Sequence, residues 1–173
     1  KRLNVFLTEE LINIPHKKFI FISSVDVYPK DEKAHAEDEA IEIDSVRGIY
    51  ALTKLMSESL LKEESSNYLI LRCSSLIGKY ARKNTLIKIR TEEKPIFTLS
   101  PDSSLNYILH TDVSEFIKIA IEKNLQGIYN LVSYKNITLK EVADLFKKKV
   151  TFGNFIYSVG YIDNKKVASV TSS

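Results

Sequence analysis

Tryptophan is absent from this chain of 173 residues, and cysteine, histidine, proline and glycine are scarce, at one, three, four and five copies. The single Cys73 excludes an internal disulfide and fits a reducing compartment. His16, His35 and His110 stand apart from one another and from Cys73, so no zinc-ligand spacing exists and no metal is expected. No apolar run approaches the roughly 20 residues that span a bilayer, and no signal-peptide pattern opens the sequence. A cytoplasmic protein with no membrane partner is expected. Gly48, Gly78, Gly127, Gly153 and Gly160 lie too far apart to build a glycine-rich phosphate loop. The net charge of +3 is small and the lysines are scattered among glutamates, which argues against a nucleic-acid partner.

What is present is a core-forming composition, 44% hydrophobic, in a length that suits one domain or two small lobes. Helical and strand patterns alternate, which predicts an α/β fold. A helix is expected over residues 4–13, with Val5, Thr8, Leu11 and Ile12 as its buried stripe. Residues 19–23 form a continuous apolar strand of the sort buried on both faces of a parallel sheet. The acidic stretch 30–44 reads as a surface loop. Ile49, Leu52, Met56 and Leu60 recur at helical spacing over 47–64. Residues 68–72 and 128–132 read as further buried strands. Asp112 is placed to cap a helix that buries Val113, Phe116, Ile117 and Ile121. Thr138 with Glu141 forms a capping box for a helix reaching Lys148.

Within this frame the segment YALTK sets Tyr50 four residues before Lys54. On a helix that step puts both side chains on one face, roughly 5–6 Å apart between Cβ atoms. An ammonium beside a phenol favours the phenolate and lowers its pKa. A tyrosine tuned this way exchanges a proton with a substrate hydroxyl near neutral pH. Upstream, FIFISSVDVY (residues 19–28) is a strand ending in Ser23 and Ser24, and Ser24 is placed to hold the same hydroxyl. The spacing alone is weak, because nine tyrosines among 20 lysines yield about one such pair by chance. A second copy, Tyr161 with Lys165, lacks the preceding serine-ended strand. The plain alternative for Tyr50 and Lys54 is a helix residue beside a solvated neighbour, and for Ser24 a turn former.

Three more segments follow in order: LILRCSSLIG (69–78), NYILHTDVSEF (106–116) and GIYNLVS (127–133). Together with the serine-ended strand and Tyr50/Lys54, they resemble the extended short-chain dehydrogenase/reductase superfamily, in particular its nucleotide-sugar epimerases, dehydratases and reductases. The segment NVFLTEELI (4–12) is similar to the fourth helix of that fold. The resemblance therefore implies that the glycine-rich first half of the nucleotide-binding domain lies outside these residues. It implies the C-terminal part of a doubly wound, Rossmann-like parallel sheet over 1–78 and 105–133. A smaller substrate-binding lobe would comprise 79–104 and 134–173.

The same resemblance implies a set of roles. Ser24, Tyr50 and Lys54 would be catalytic, joined by Asn4, which would order a water, and by Asp26, either an acid/base or a cap for the following loop. Ser23, Tyr50, Lys54 and Cys73 would contact NAD or NADP. Ser24, Val25, Ser75, Lys88 and Leu105 would face a nucleotide-sugar substrate. The helices at 4–13 and 47–64 would form a four-helix homodimer interface through residues such as Leu7, Leu55 and Leu61. Three departures bear on the substrate. Cys73 replaces a proline, Ser75 an asparagine that meets the phosphates, and Leu105 an arginine that binds the diphosphate. Losing a charge-assisted phosphate contact is substantial; Lys79, Arg82, Lys83, Lys88 and Arg90 are candidates to compensate. Two functions follow from these residues. One is a nicotinamide-dependent epimerase, dehydratase or reductase working through a keto intermediate; the other is a non-catalytic relative that binds a ligand or partner.

Overall fold

The computed structural model describes residues 2–31 and 33–171, with side chains from residue 5 onward. Three strands, β1 (Phe19–Ser24), β3 (Tyr68–Cys73) and β7 (Gly127–Leu131), form a parallel sheet in the order β1-β3-β7. Between them run the crossover helices α2 (Ile49–Glu64) and α4 (His110–Glu122), and α1 (Arg2–Ile12) packs on α2. The sheet is the part of a doubly wound α/β fold that the alternating pattern predicts. Register aligns the carboxyl ends: Ser24 pairs with Cys73, and Cys73 with Leu131.

Short pairings extend this frame. β2 (Ala34–His35) pairs with β9 (Tyr161–Ile162), β4 (Ser75–Ile77) with β6 (Tyr107–Leu109), and β5 (Ser104–Leu105) with β8 (Ile137–Thr138). A second apolar core gathers Ile89 of α3 (Thr85–Thr91) with Leu139, Val142 and Ala143 of α5 (Leu139–Leu145), flanked by Phe97, Leu99 and Phe152. The final helix, α6 (Lys165–Thr171), returns to the sheet, where Val167 and Val170 pack on the main core.

β3 is the centre. Leu69, Ile70 and Leu71 are fully buried because it has neighbours on both edges. β1 has none on its outer edge among the described strands, so Phe19 to Ile22 are only half-buried, not enclosed as their apolar run predicts. Leu11 of α1 is 42% exposed for a related reason: α1 meets the rest of the chain mainly through α2.

The largest departure is the rotation of α2. Its apolar stripe does not face the core; Ile49 and Met56 are exposed, while Ala51, Thr53, Ser57, Glu58 and Leu61 are buried. Leu61 is therefore a core residue and unavailable to a helical interface, whereas Leu7 is exposed. The cause is electrostatic. Glu58 accepts from Arg72 of β3 at Nη2 (2.7 Å) and Nε (3.2 Å), and from the Ser23 hydroxyl. Arg72 Nη1 donates to the Tyr28 hydroxyl (2.8 Å), which lies 2.8 Å from Asn130 Oδ1. A charge this deep demands its partners, and their position dictates which helix face turns inward.

Other expectations shift for local reasons. The 30–44 stretch holds β2, and His35 is fully buried, stacked on Tyr28 (5.1 Å) between Glu39 (2.7 Å) and Asp31 (3.1 Å). α4 begins at His110 after Leu109, so Asp112 sits in the first turn and does not cap; Ala120 is buried in place of the exposed Ile121. Thr138 and Glu141 do form the capping box, but α5 ends at Leu145, short of Lys148.

Glu58→Ala should lower unfolding stability by about 3–5 kcal/mol, since it strands a buried guanidinium. Replacing both members with apolar residues of similar volume should cost less than either single change. Urea denaturation of the three variants measures this.

Candidate functional site

At the carboxyl ends of β1 and β3 the two strands part company, and a cleft of about 540 Å³ opens between them. β1 ends in Ser24, which starts a single 3-10 turn (Val25–Val27) and accepts from the Asp26 N–H at 3.2 Å. β3 passes through Ser74 into β4. Gly48, with φ of 87°, lets the chain turn sharply into α2 and delivers Tyr50 at its first turn. Ser23, Ser24, Val25, Asp26, Tyr50, Lys54, Cys73, Ser75 and Leu105 all line this one cleft. Lys88 does not: its ammonium donates to Ile96 O (2.6 Å) and lies over the Phe97 ring, away from the opening. The side chain of Asn4 lies outside the described residues.

Tyr50 is half-exposed and shares the cleft lining with Ser24. Burial, with the Asp26 charge, raises the Tyr50 pKa above the ordinary value, while the neighbouring Ser24 hydroxyl and the Arg82 charge pull it down. The expected depression by Lys54 is not found in the free protein. Burial lowers the Lys54 pKa, and the ammonium donates to Ile22 O at 2.6 Å while lying 4.6 Å from the Phe21 ring centre. Beneath them the Cys73 thiol is pushed up to about 12 by burial, so it acts as an inert floor.

Asp26 is not a free carboxylate. Lys30 Nζ pairs with its Oδ1 at 2.9 Å, and the Tyr157 hydroxyl donates to the same oxygen at 3.0 Å. Burial, then the Asp26 charge, raises the Tyr157 pKa and keeps the phenol a donor. Tyr157 thus closes the cleft from a segment 131 positions away, a contact that no local pattern announces. Tyr80, Arg82, Asn106, His110, Ser74 and Val159 also line it. Of these, Arg82 is marked in the sequence only as one of a scattered basic set, and Ser74, Asn106 and His110 only by lying within landmark segments.

Asn106 is saturated: its side chain bonds Ser133 O, Ser133 N and Asn136 Oδ1, all at 2.9 Å, which fixes the strand before α4. Among the described residues no group of three or more His, Cys, Asp or Glu side chains could hold a metal, and no helix is long and apolar enough to cross a membrane.

The arrangement joins a hydroxyl pair at a strand end, a helix-borne phenol and an ammonium one turn below it. Solved structures share this architecture. UDP-glucuronic acid 4-epimerase from Bacillus cereus, in complex with UDP-glucuronic acid and NAD, superposes with a TM-score of 0.78 at 22% identity, covering 98% of this chain and 61% of its own. The dTDP-glucose 4,6-dehydratase of Bacillus anthracis, in complex with NAD, gives 0.78 at 17% identity, covering 98% and 60%. UDP-glucose 4-epimerase from Thermotoga maritima, with UDP-glucose, gives 0.75 at 20%, covering 96% and 60%. The chain thus spans about three-fifths of the length of these structures. No curated protein matches it. The family model described as the NAD dependent epimerase/dehydratase family matches residues 2–132, three-quarters of the sequence, and the chain belongs to that family.

Proposed function

We propose that this chain carries the catalytic acid/base and sugar-binding part of an NAD-dependent enzyme that epimerises, dehydrates or reduces a nucleotide-activated sugar. The observation that carries this reading is the convergence of Ser24, Tyr50 and Lys54 in one cleft at the carboxyl ends of parallel strands. When bound, NAD supplies the hydride acceptor. Its expected contacts fit the residues present: Lys54 spends one of its three N–H donors on Ile22 O and faces the cleft with the remainder, as ribose hydroxyls require. Ser23 and Cys73 border the same end.

In this reading Tyr50 takes the proton from the sugar hydroxyl as its carbon gives up hydride, leaving a keto group. Ser24 donates to the same oxygen and holds it within reach of the phenol. Lys54 stabilises the phenolate that develops. Asp26, held by Lys30 and Tyr157, acts in positioning and not in proton transfer. Exposed Leu7, Ile49 and Met56 on α1 and α2 support a homodimer through those helices.

A binding protein without turnover is the second reading. It is favoured by Leu105, which stands buried in the cleft and offers the diphosphate no charge.

Tyr50→Phe should reduce turnover by roughly 10²–10⁴-fold with little change in KM, measured on the protein that carries this chain. Near-parental activity in the variant would remove Tyr50 from the mechanism, and a parent with no turnover on UDP- or dTDP-sugars would favour the second reading. The 173 residues alone should bind NAD only weakly, because a pyrophosphate is anchored by a glycine turn that they do not contain. Calorimetric titration reads this directly, and micromolar affinity would relocate the cofactor site.

A further inference from the structure

Tyr157 packs against two of the protein's apolar clusters at once. On one side is the second core, with Leu105, Leu139 and Val142; on the other is the cluster at the end of β1, with Val25, Val27 and Tyr28. Its backbone is tied to the first of these. The Tyr157 N–H donates to Ser103 Oγ at 3.1 Å, and its carbonyl accepts from the Ser104 N–H at 2.8 Å. Its hydroxyl reaches the other way and donates to Asp26 Oδ1 at 3.0 Å.

Asp26 is the next link. It stands in the 3-10 turn Val25–Val27, and its own N–H donates to Ser24 Oγ at 3.2 Å. A turn this short supports itself poorly, so side-chain contacts fix its setting. The Asp26 carboxylate has two such contacts, the Tyr157 hydroxyl and Lys30. The Lys30 ammonium is 2.9 Å from the same oxygen and 5.6 Å from the Tyr157 ring centre, so the three side chains brace one another. The consequence falls on Ser24. A hydroxyl has a single proton to give, and an N–H bound to its oxygen turns that proton elsewhere. With the Asp26 N–H in place, the Ser24 proton is left for a ligand in the cleft.

We propose that Tyr157 is a positioning residue: acting through Asp26, it couples the seating of the second core to the setting of the Ser24 hydroxyl. Lys30 keeps the carboxylate in place between them. The proposal rests on the reaction given above and adds to it a residue 131 positions beyond Asp26. Ser24 is then set by how the two walls of the cleft meet, and not by β1 alone.

The test uses Tyr157→Phe, which removes the hydroxyl and keeps the ring that both clusters hold, in the protein that carries this chain. On UDP- or dTDP-sugars kcat should fall roughly tenfold, with KM within about twofold of the parent. The deciding comparison adds Ser24→Ala. In that background Tyr157→Phe should change kcat by less than about twofold, because the group it sets is gone. Asp26→Asn keeps an oxygen for the Tyr157 hydroxyl and should lose less turnover than Tyr157→Phe; a larger loss would put Asp26 in the proton transfer itself and overturn the relay. Hydrogen exchange reads the coupling without turnover: the Asp26 amide should exchange about fivefold faster, or more, in Tyr157→Phe than in the parent. A merely structural hydroxyl would lower the Tm and leave kcat and the Asp26 amide unmoved. That result, an unmoved Asp26 amide by itself, or full additivity with Ser24→Ala overturns the positioning role and leaves the reaction standing. A parent without turnover on these sugars overturns the reaction, and the positioning role with it.

Discussion

The buried pair of Glu58 and Arg72 is the constraint on which the rest of this structure turns. Both side chains are essentially inaccessible, so each ion depends on the other and on the hydroxyls of Ser23 and Tyr28. A helix is free to rotate about its axis only until one residue must point in a given direction. In α2 that residue is Glu58. Lys54 and Tyr50 lie one and two turns earlier on the same face, so the ion pair that seats Glu58 beneath the sheet also directs the ammonium and the phenol at the strand ends. Specificity of orientation, more than net stabilisation, is the natural reason to keep such a pair buried.

This explains which parts of the molecule were legible in the sequence. Strand cores such as 69–71 are written in a continuous apolar run, and the capping box at Thr138 is written in a four-residue pattern; both appear as expected. The site's inner members, from Ser23 to Cys73, sit at ordered landmarks, and the structure gathers them. Periodicity points α2 the wrong way because it assumes that apolar residues define the inward face. Here the inward face contains Thr53, Ser57 and Glu58, and the apolar stripe borders a groove with Val5, Ile41 and Ile43. His35 was read as loop for the same reason: its burial rests on stacking against Tyr28 and on two carboxylates, none of which has a periodic signature. Lys88 was assigned to the cleft by its charge alone, and the Phe97 ring and the Ile96 carbonyl claim it.

The free cleft is chemically at rest. Tyr50 stays a phenol because burial outweighs its neighbours, and Lys54 is occupied with a strand carbonyl. The groups for proton exchange are nonetheless gathered, since Ser24, Tyr50 and Lys54 already line one cleft. Acid/base competence here is therefore a property that a ligand completes, by adding charge and excluding water around groups already set in place.

The bond between Tyr157 and Asp26 carries a consequence for how such a cleft comes into being. Asp26 follows the end of β1, and Tyr157 is made 131 residues later. During translation, at about 5–20 residues per second, the last strand of the sheet, β7, is made roughly 1–5 s before Tyr157. Until Tyr157 is made, Asp26 has Lys30 available as a partner but lacks the Tyr157 hydroxyl. The wall of the cleft is complete only once the segment bearing Tyr157 lies across the opening.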